Sequence, residues 1–261
     1  MSLKVKALVL LAAGINCDRE TTLAFELAGA VPHRVHINDL IANPKLLADY
    51  QILALPGGFS FGDDIASGQV LAWYLKNRLA AELKSFIDED KLIIGICNGF
   101  QVLIKLGLLP ALGKDYSRQQ ATLSFNTSAK FEDRWVYLKP DPNCRSIFTN
   151  NLEKLVYLPV RHGKGRFMAD EQIMNDLKSS GQIALRYVDS EGSFGEYPAN
   201  PNGSIDNIAG LCDPTGRVFG MMPHPEVFVR LTQHPRWTRG QRPTPTGLKI
   251  FKNAVDFSLN S

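Results

Sequence analysis

Four short runs with hardly a polar side chain, Ala7–Leu11, Val35–Ile37, Ile52–Leu55 and Leu92–Ile96, constrain the fold of this chain more than any other feature. A strand with one wet face alternates apolar and polar residues. A strand that is apolar throughout is buried on both faces, as in a parallel sheet covered by helices. The segments between the runs supply those helices. Asp18–Ala28 starts on a residue able to cap and ends beside Gly29, while Gly68–Ile87 places Val70, Leu71, Tyr74, Leu75, Leu79, Leu83 and Phe86 at helical spacing. The first half therefore reads as a doubly wound α/β fold, a mainly parallel sheet with helices on both faces.

Beyond residue 120 the texture changes. Thr122–Asn126, Arg134–Leu138, Val156–Val160, Ile183–Val188, Ile208–Cys212 and Val218–Met222 read as short strands between Gly, Pro, Asn and Asp turns. Antiparallel strands in the C-terminal half of the same sheet are expected, closed by an amphipathic helix over Leu248–Leu259. No repeat or long linker divides the 261 residues, so one domain over 1–261 is expected. The segment Val229–Thr246 stands apart, with Arg230, Arg236, Arg239 and Arg242 set among Pro235, Pro243, Pro245 and Trp237. It reads as a long basic loop, either plain surface or a docking or lid element.

A net charge of +3 is too small to point to nucleic acid or a membrane surface. No apolar run reaches spanning length, and no cleavable leader precedes the first strand, so a cytoplasmic protein is expected. The four cysteines Cys17, Cys97, Cys144 and Cys212 are scattered, which supports neither a disulfide framework nor zinc-ligand spacing.

Cys97 has a special context. Lys91–Gln101 reads as a buried strand, a tight turn and a helix, with Gly95 and Gly99 letting the backbone crowd at the corner. This is the cysteine counterpart of a nucleophile elbow, and a helix N-terminus there favours the thiolate. A lone cysteine in an apolar run is more often mere core, so partners must decide the reading. Met221-Met-Pro-His224-Pro-Glu226 supplies them: His224 as base and Glu226 two residues on to orient it. His162 is the rival base but has no acid beside it. Negative charge developing on a substrate carbonyl needs backbone donors, for which the amides of Asn98 and of Gly58 in Leu55-Pro-Gly-Gly-Phe-Ser60 are the candidates. No phosphate-cradling motif occurs in the sequence, which argues against a nucleotide site.

Together these elements resemble the class I, or triad, glutamine amidotransferases, which have a flavodoxin-like fold. Asn16-Cys-Asp-Arg-Glu20, Gly57-Gly-Phe-Ser-Phe-Gly-Asp63, Phe131-Glu-Asp-Arg-Trp135 and His162-Gly-Lys-Gly-Arg-Phe167 narrow the likeness. With them the chain resembles the glutaminase subunits of phosphoribosylformylglycinamidine synthase, in purine biosynthesis. The resemblance implies that Cys97 attacks the glutamine side chain to form a thioester, with His224 as base and acid and Glu226 behind it. It also implies that Gln101 holds the substrate and that Gly58 and Asn98 form the oxyanion hole. Ammonia is then expected to pass to an ATP-dependent synthetase subunit, joined by a small accessory subunit. No metal or organic cofactor is expected on this chain, ATP and Mg belonging to the synthetase. Two departures are visible: Ala13 precedes Gly14 where many relatives carry proline, and Lys164 replaces an expected acidic residue. Another class I amidotransferase, a stand-alone cysteine hydrolase of the same fold and a non-catalytic scaffold are the alternatives. The isolated chain is expected to be a poor glutaminase.

Overall fold

A computed structural model describes residues 4–239 and 244–260. The chain opens with β1 (Lys6–Leu11), α1 (Asp18–Ala28), β2 (Val31–His36), α2 (Ile37–Ala42), β3 (Ile52–Leu55), α3 (Gln69–Arg78), α4 (Ala80–Asp88), β4 (Leu92–Ile96) and α5 (Asn98–Leu106). It continues with β5 (Thr122–Phe125), β6 (Glu132–Pro140), β7 (Val156–His162), β8 (Lys164–Met168), α6 (Glu171–Ser180), β9 (Ile183–Val188), β10 (Ile208–Cys212), β11 (Val218–Met221) and α7 (Gly247–Asn260). The main sheet has the order β2-β1-β3-β4-β11-β10-β9-β6-β7. Pairings from β2 to β11 are parallel and those from β11 to β7 antiparallel. A separate antiparallel ribbon joins β5 to β8.

The apolar runs explain the centre of this sheet. Every residue of β3 and β4 is buried, and each Leu or Ile so placed contributes about 1.5–3 kcal/mol relative to exposure. From β1 the chain crosses outward to β2, whereas from β3 it crosses inward to β4. Right-handed crossovers in opposite directions put α1 and the α3–α4 pair on opposite faces. The edge of the Phe25 ring in α1 meets Phe251 in α7, with centroids 5.0 Å apart, so the first and last helices share a face.

The expected helix over Gly68–Ile87 is two helices. Leu79, at φ −135° and ψ 18°, forms the corner between α3 and α4. Leu75, Leu79, Leu83 and Phe86 are all buried across it, so the apolar periodicity survives a bend that no Gly or Pro announces. The run Val35–Ile37 also ends early: His36 Nδ1 accepts the Asn38 N–H at 3.2 Å and caps α2, drawing Ile37 into the helix. In the basic segment, the His234 ring is wedged among Trp135, Phe228 and Tyr157, which ties the loop to the β6–β7 side of the sheet. Arg230, Arg236 and Arg239 are exposed, while Arg242 and Pro243 lie outside the described residues. No helix among the described residues is long and apolar enough to cross a membrane.

Candidate functional site

Ligands of open parallel sheets bind beyond the carboxyl ends of the strands, and four loops of this chain converge there. They follow β1, β3, β4 and β11. Pairing of Met221 with Ile96 brings the ends of β11 and β4 level, and the Cys97 N–H donates to the Met221 carbonyl at 2.7 Å. The loops after β1 and β3 are laced by four main-chain bonds, one of them from the Phe61 N–H to the Ala13 carbonyl at 2.6 Å. Asn16 and Cys17 donate to the Gly57 carbonyl at 3.3 and 3.2 Å, and Phe59 donates to Gly14 at 2.8 Å.

Cys97 sits on the expected sharp corner. Its φ of 52° and ψ of −104° lie outside the ordinary regions for a side-chain-bearing residue, a conformation that costs on the order of 1–3 kcal/mol. The surroundings enforce it. A Cβ on Gly99 would lie 1.9 Å from the Leu55 carbonyl oxygen, so only glycine lets α5 start this close to the end of β3. The thiol is buried at the N-terminus of α5 and donates to the Arg161 carbonyl at 3.7 Å.

His224 and Glu226 form a buried pair. The imidazole Nδ1 and the Glu226 Oε1 are 2.6 Å apart, and the His224 main-chain N–H donates to the Pro159 carbonyl at 2.8 Å. Burial alone opposes charge on the ring. The Glu226 carboxylate and the Cys97 sulfur outweigh it and hold the imidazole well above its ordinary range. Its Nε2 is buried without a hydrogen-bond partner among the described residues. The rival, His162, is a different kind of residue. Burial and the nearby charge of His224 push it down to about 3, and its Nδ1 donates to Asn126 Oδ1 at 3.1 Å. It is a neutral wall of the cleft with no carboxylate behind it.

Two cavities meet at Cys97. One, of about 190 Å³, has Gly58, Asp63, Gln101, Phe125 and Lys164 in its wall. Gln101 lines it with both side-chain atoms engaged: Oε1 accepts from Asn98 Nδ2 at 2.9 Å, and Nε2 donates to the Lys164 carbonyl. The amide of Asn98 immediately follows the thiol, and Gly58 borders both cavities, so both expected carbonyl-binding residues flank Cys97. Lys164, in the position of the expected acid, lies 4.0 Å from Asp63 and 5.0 Å from the Phe125 ring centre.

Two features escaped the sequence reading. The Asn98 side chain is a strut: its Oδ1 accepts the Ser60 N–H at 3.1 Å, and its Nδ2 reaches Asp63 Oδ1 at 3.3 Å. Cys17 is the other. It lies against the His224 imidazole, with one ligand atom each of Cys17, His224 and Glu226 within 4.8 Å of one another. Burial pushes this second thiol above its usual range. Its place in Asn16-Cys-Asp near the N-terminus gave no spacing signal toward His224, because only the sheet brings β1 and β11 to one edge.

Residues 4–258 match the family of CobB/CobQ-like glutamine amidotransferase domains. The chain is 48% identical over 257 residues to the phosphoribosylformylglycinamidine synthase subunit PurQ of Dehalococcoides mccartyi, covering 98% of both chains. The subunit of the same name from Methanococcus maripaludis is 45% identical over 265 residues, covering 97% of both. Among solved structures, PurLQS from Thermotoga maritima superposes with a TM-score of 0.75 at 33% identity, over 98% of this chain and 99% of that one. A glutamine amidotransferase from the same organism gives 0.60 at 13% identity, over 99% of this chain and all of its own, a likeness of fold alone.

Proposed function

The chain belongs to the CobB/CobQ-like glutamine amidotransferases, within them to the glutaminase subunits of phosphoribosylformylglycinamidine synthase, and from that premise we propose how its residues divide the work. The enzyme hydrolyses glutamine, and its synthetase partner uses the ammonia to convert formylglycinamide ribonucleotide to formylglycinamidine ribonucleotide. Carrying the assignment of roles is one observation: a buried thiol on a strained elbow and a carboxylate-bound imidazole, held at one sheet edge by the β4–β11 pairing.

His224 Nε2 takes the Cys97 proton, and the thiolate attacks the side-chain carbonyl carbon of glutamine. The amides of Gly58 and Asn98 receive the oxyanion. The imidazolium then gives its proton to the departing nitrogen, the C–N bond breaks, and ammonia leaves a glutamyl thioester. Water adds to the thioester with His224 again as base, and the expelled thiolate recovers the proton as glutamate leaves. Glu226 keeps the proton-bearing Nδ1 turned away from the thiol and stabilises the imidazolium. Gln101 positions the substrate from the smaller cavity.

This chemistry asks for no metal or organic cofactor from this chain, and ATP and Mg act on the synthetase. One domain over 1–261 and a cytoplasmic location complete the reading. In the free subunit the Cys97 thiol turns to the Arg161 carbonyl instead of His224 Nε2. Docking of the synthetase, with a small accessory subunit, is what brings thiol and base into line, so the isolated chain is a poor glutaminase. The deciding experiment incubates the reconstituted complex with a glutamine-like alkylator and maps the label. Modification at Cys97 with loss of glutamine-dependent but not ammonia-dependent synthesis is expected; labelling at Cys17, Cys144 or Cys212 instead overturns the assignment.

A further inference from the structure

The second cavity at Cys97, about 390 Å³, faces away from Gln101 and has Cys17, Glu20, Cys97 and His224 in its wall. Its chemistry is unlike that of an amide-binding pocket. Cys17 lies against the imidazole, with one ligand atom each of Cys17, His224 and Glu226 within 4.8 Å of one another, and Cys97 stands in the same wall beside them. The His224 Nε2 is buried and unpartnered, and so are Glu20 Oε2 and Glu226 Oε2. His224 itself is only 2% exposed. Arg161, which alone among the described Arg and Lys residues lines this wall, has its guanidinium Nε 3.7 Å from Asp133.

We propose that Cys17, Cys97 and His224 form a site for a thiophilic divalent cation, of the zinc and cadmium class, that switches the glutaminase off. Two sulfurs and an imidazole nitrogen are the donor set such ions select. Glu226, bonded to Nδ1 at 2.6 Å, is then the outer carboxylate that fixes the tautomer and turns Nε2 toward the ion. Binding releases the protons of the two thiols, and the carboxylate of Glu20 faces the ion from α1. The cation takes the nucleophile and the base together while leaving the Gln101 cavity open. Inhibition by this route is therefore not relieved by excess glutamine. Cys17 is what makes the site: the proposed reaction uses Cys97 and His224 without it.

Cadmium is the probe, added to the purified full chain in thiol-free buffer. One ion per chain is expected, with thiolate-to-cadmium charge-transfer absorption in the ultraviolet. Cys17→Ser should weaken this binding at least about tenfold, and Cys144→Ser should leave it unchanged. Protection of Cys17 and Cys97 from alkylation by cadmium, mapped by mass spectrometry, gives the same answer without any substitution. In the reconstituted complex, zinc should abolish glutamine-dependent synthesis, spare ammonia-dependent synthesis, and be reversed by a chelator. Binding that persists in Cys17→Ser, or that disappears only in Cys144→Ser, overturns the proposal. Alkylator mapping without metal tests the catalytic roles separately, so failure of either reading is recognised independently.

Discussion

The side-chain oxygen of Asn98 accepts the main-chain N–H of Ser60 at 3.1 Å. Through this bond the residue after Cys97 holds the Pro56–Ser60 loop, and with it Gly58, against the start of α5. Ser60 is buried, so removing the acceptor strands a donor, at a cost of about 1–3 kcal/mol.

Asn98→Ala should consequently lower kcat for glutamine by about 10- to 100-fold while changing KM less, because the loop must be in place mainly when charge develops. Steady-state kinetics of the reconstituted complex measure this split. A large rise in KM at constant kcat would show that the strut serves binding instead.

Glu226→Gln keeps the volume of a fully buried side chain but removes its charge. The imidazole then loses the partner that fixes its tautomer and supports its positive form. Glutamine-dependent turnover is expected to drop by about a hundredfold or more, with ammonia-dependent synthesis retained. Equal loss of both activities would place Glu226 in the assembly of the complex.

Two glycine substitutions separate site from scaffold. On Gly57 a Cβ would come 2.7 Å from His224 Cε1, a side-chain atom. Gly57→Ala should fold and lose glutaminase activity as the imidazole is displaced. On Gly99 the Cβ would strike the Leu55 carbonyl at 1.9 Å, backbone against backbone. Gly99→Ala should lose several degrees of melting temperature or fail to accumulate folded. Thermal denaturation and activity, measured on both, test the contrast.

His162 predicts an acid-sensitive fold. Its folded value is about 3, below the roughly 6.5 of an unfolded histidine. Between these values the unfolded chain binds more protons, so stability falls as pH drops, by up to about 1.4 kcal/mol per pH unit. His162→Gln should flatten the plot of unfolding free energy against pH between about 6.5 and 4. An unchanged slope would assign the acid sensitivity to other groups.

The sequence was most legible where one force dominated. Burial on both faces leaves β3 and β4 no alternative to strands, and their ends fall where the apolar runs stop. The elbow was legible because a cysteine between two glycines has few other uses. Elements with a weaker apolar signature escaped. In α6 the cap is plain afterwards, Asp170 accepting the Ile173 N–H at 2.8 Å and Gly181 closing the end, but only Met174 and Leu177 mark its inner face. Strand β8 is hidden because Lys164, Gly165 and Arg166 interrupt any apolar pattern. Cys17 meets His224 across most of the chain's length, a proximity fixed by strand order.

That strand order has a temporal consequence. β11 lies in mid-sheet, between β4 and β10, although it is the last strand to be made. As the chain emerges from the ribosome, Cys97 exists for more than a hundred residues of synthesis before His224 does. The place beside β4 is taken by this final strand, which carries His224 to the sheet edge that holds Cys97. A chain cut short before β11 therefore holds Cys97 without His224 beside it, and the pairing of the final strand is what brings the two residues to one edge.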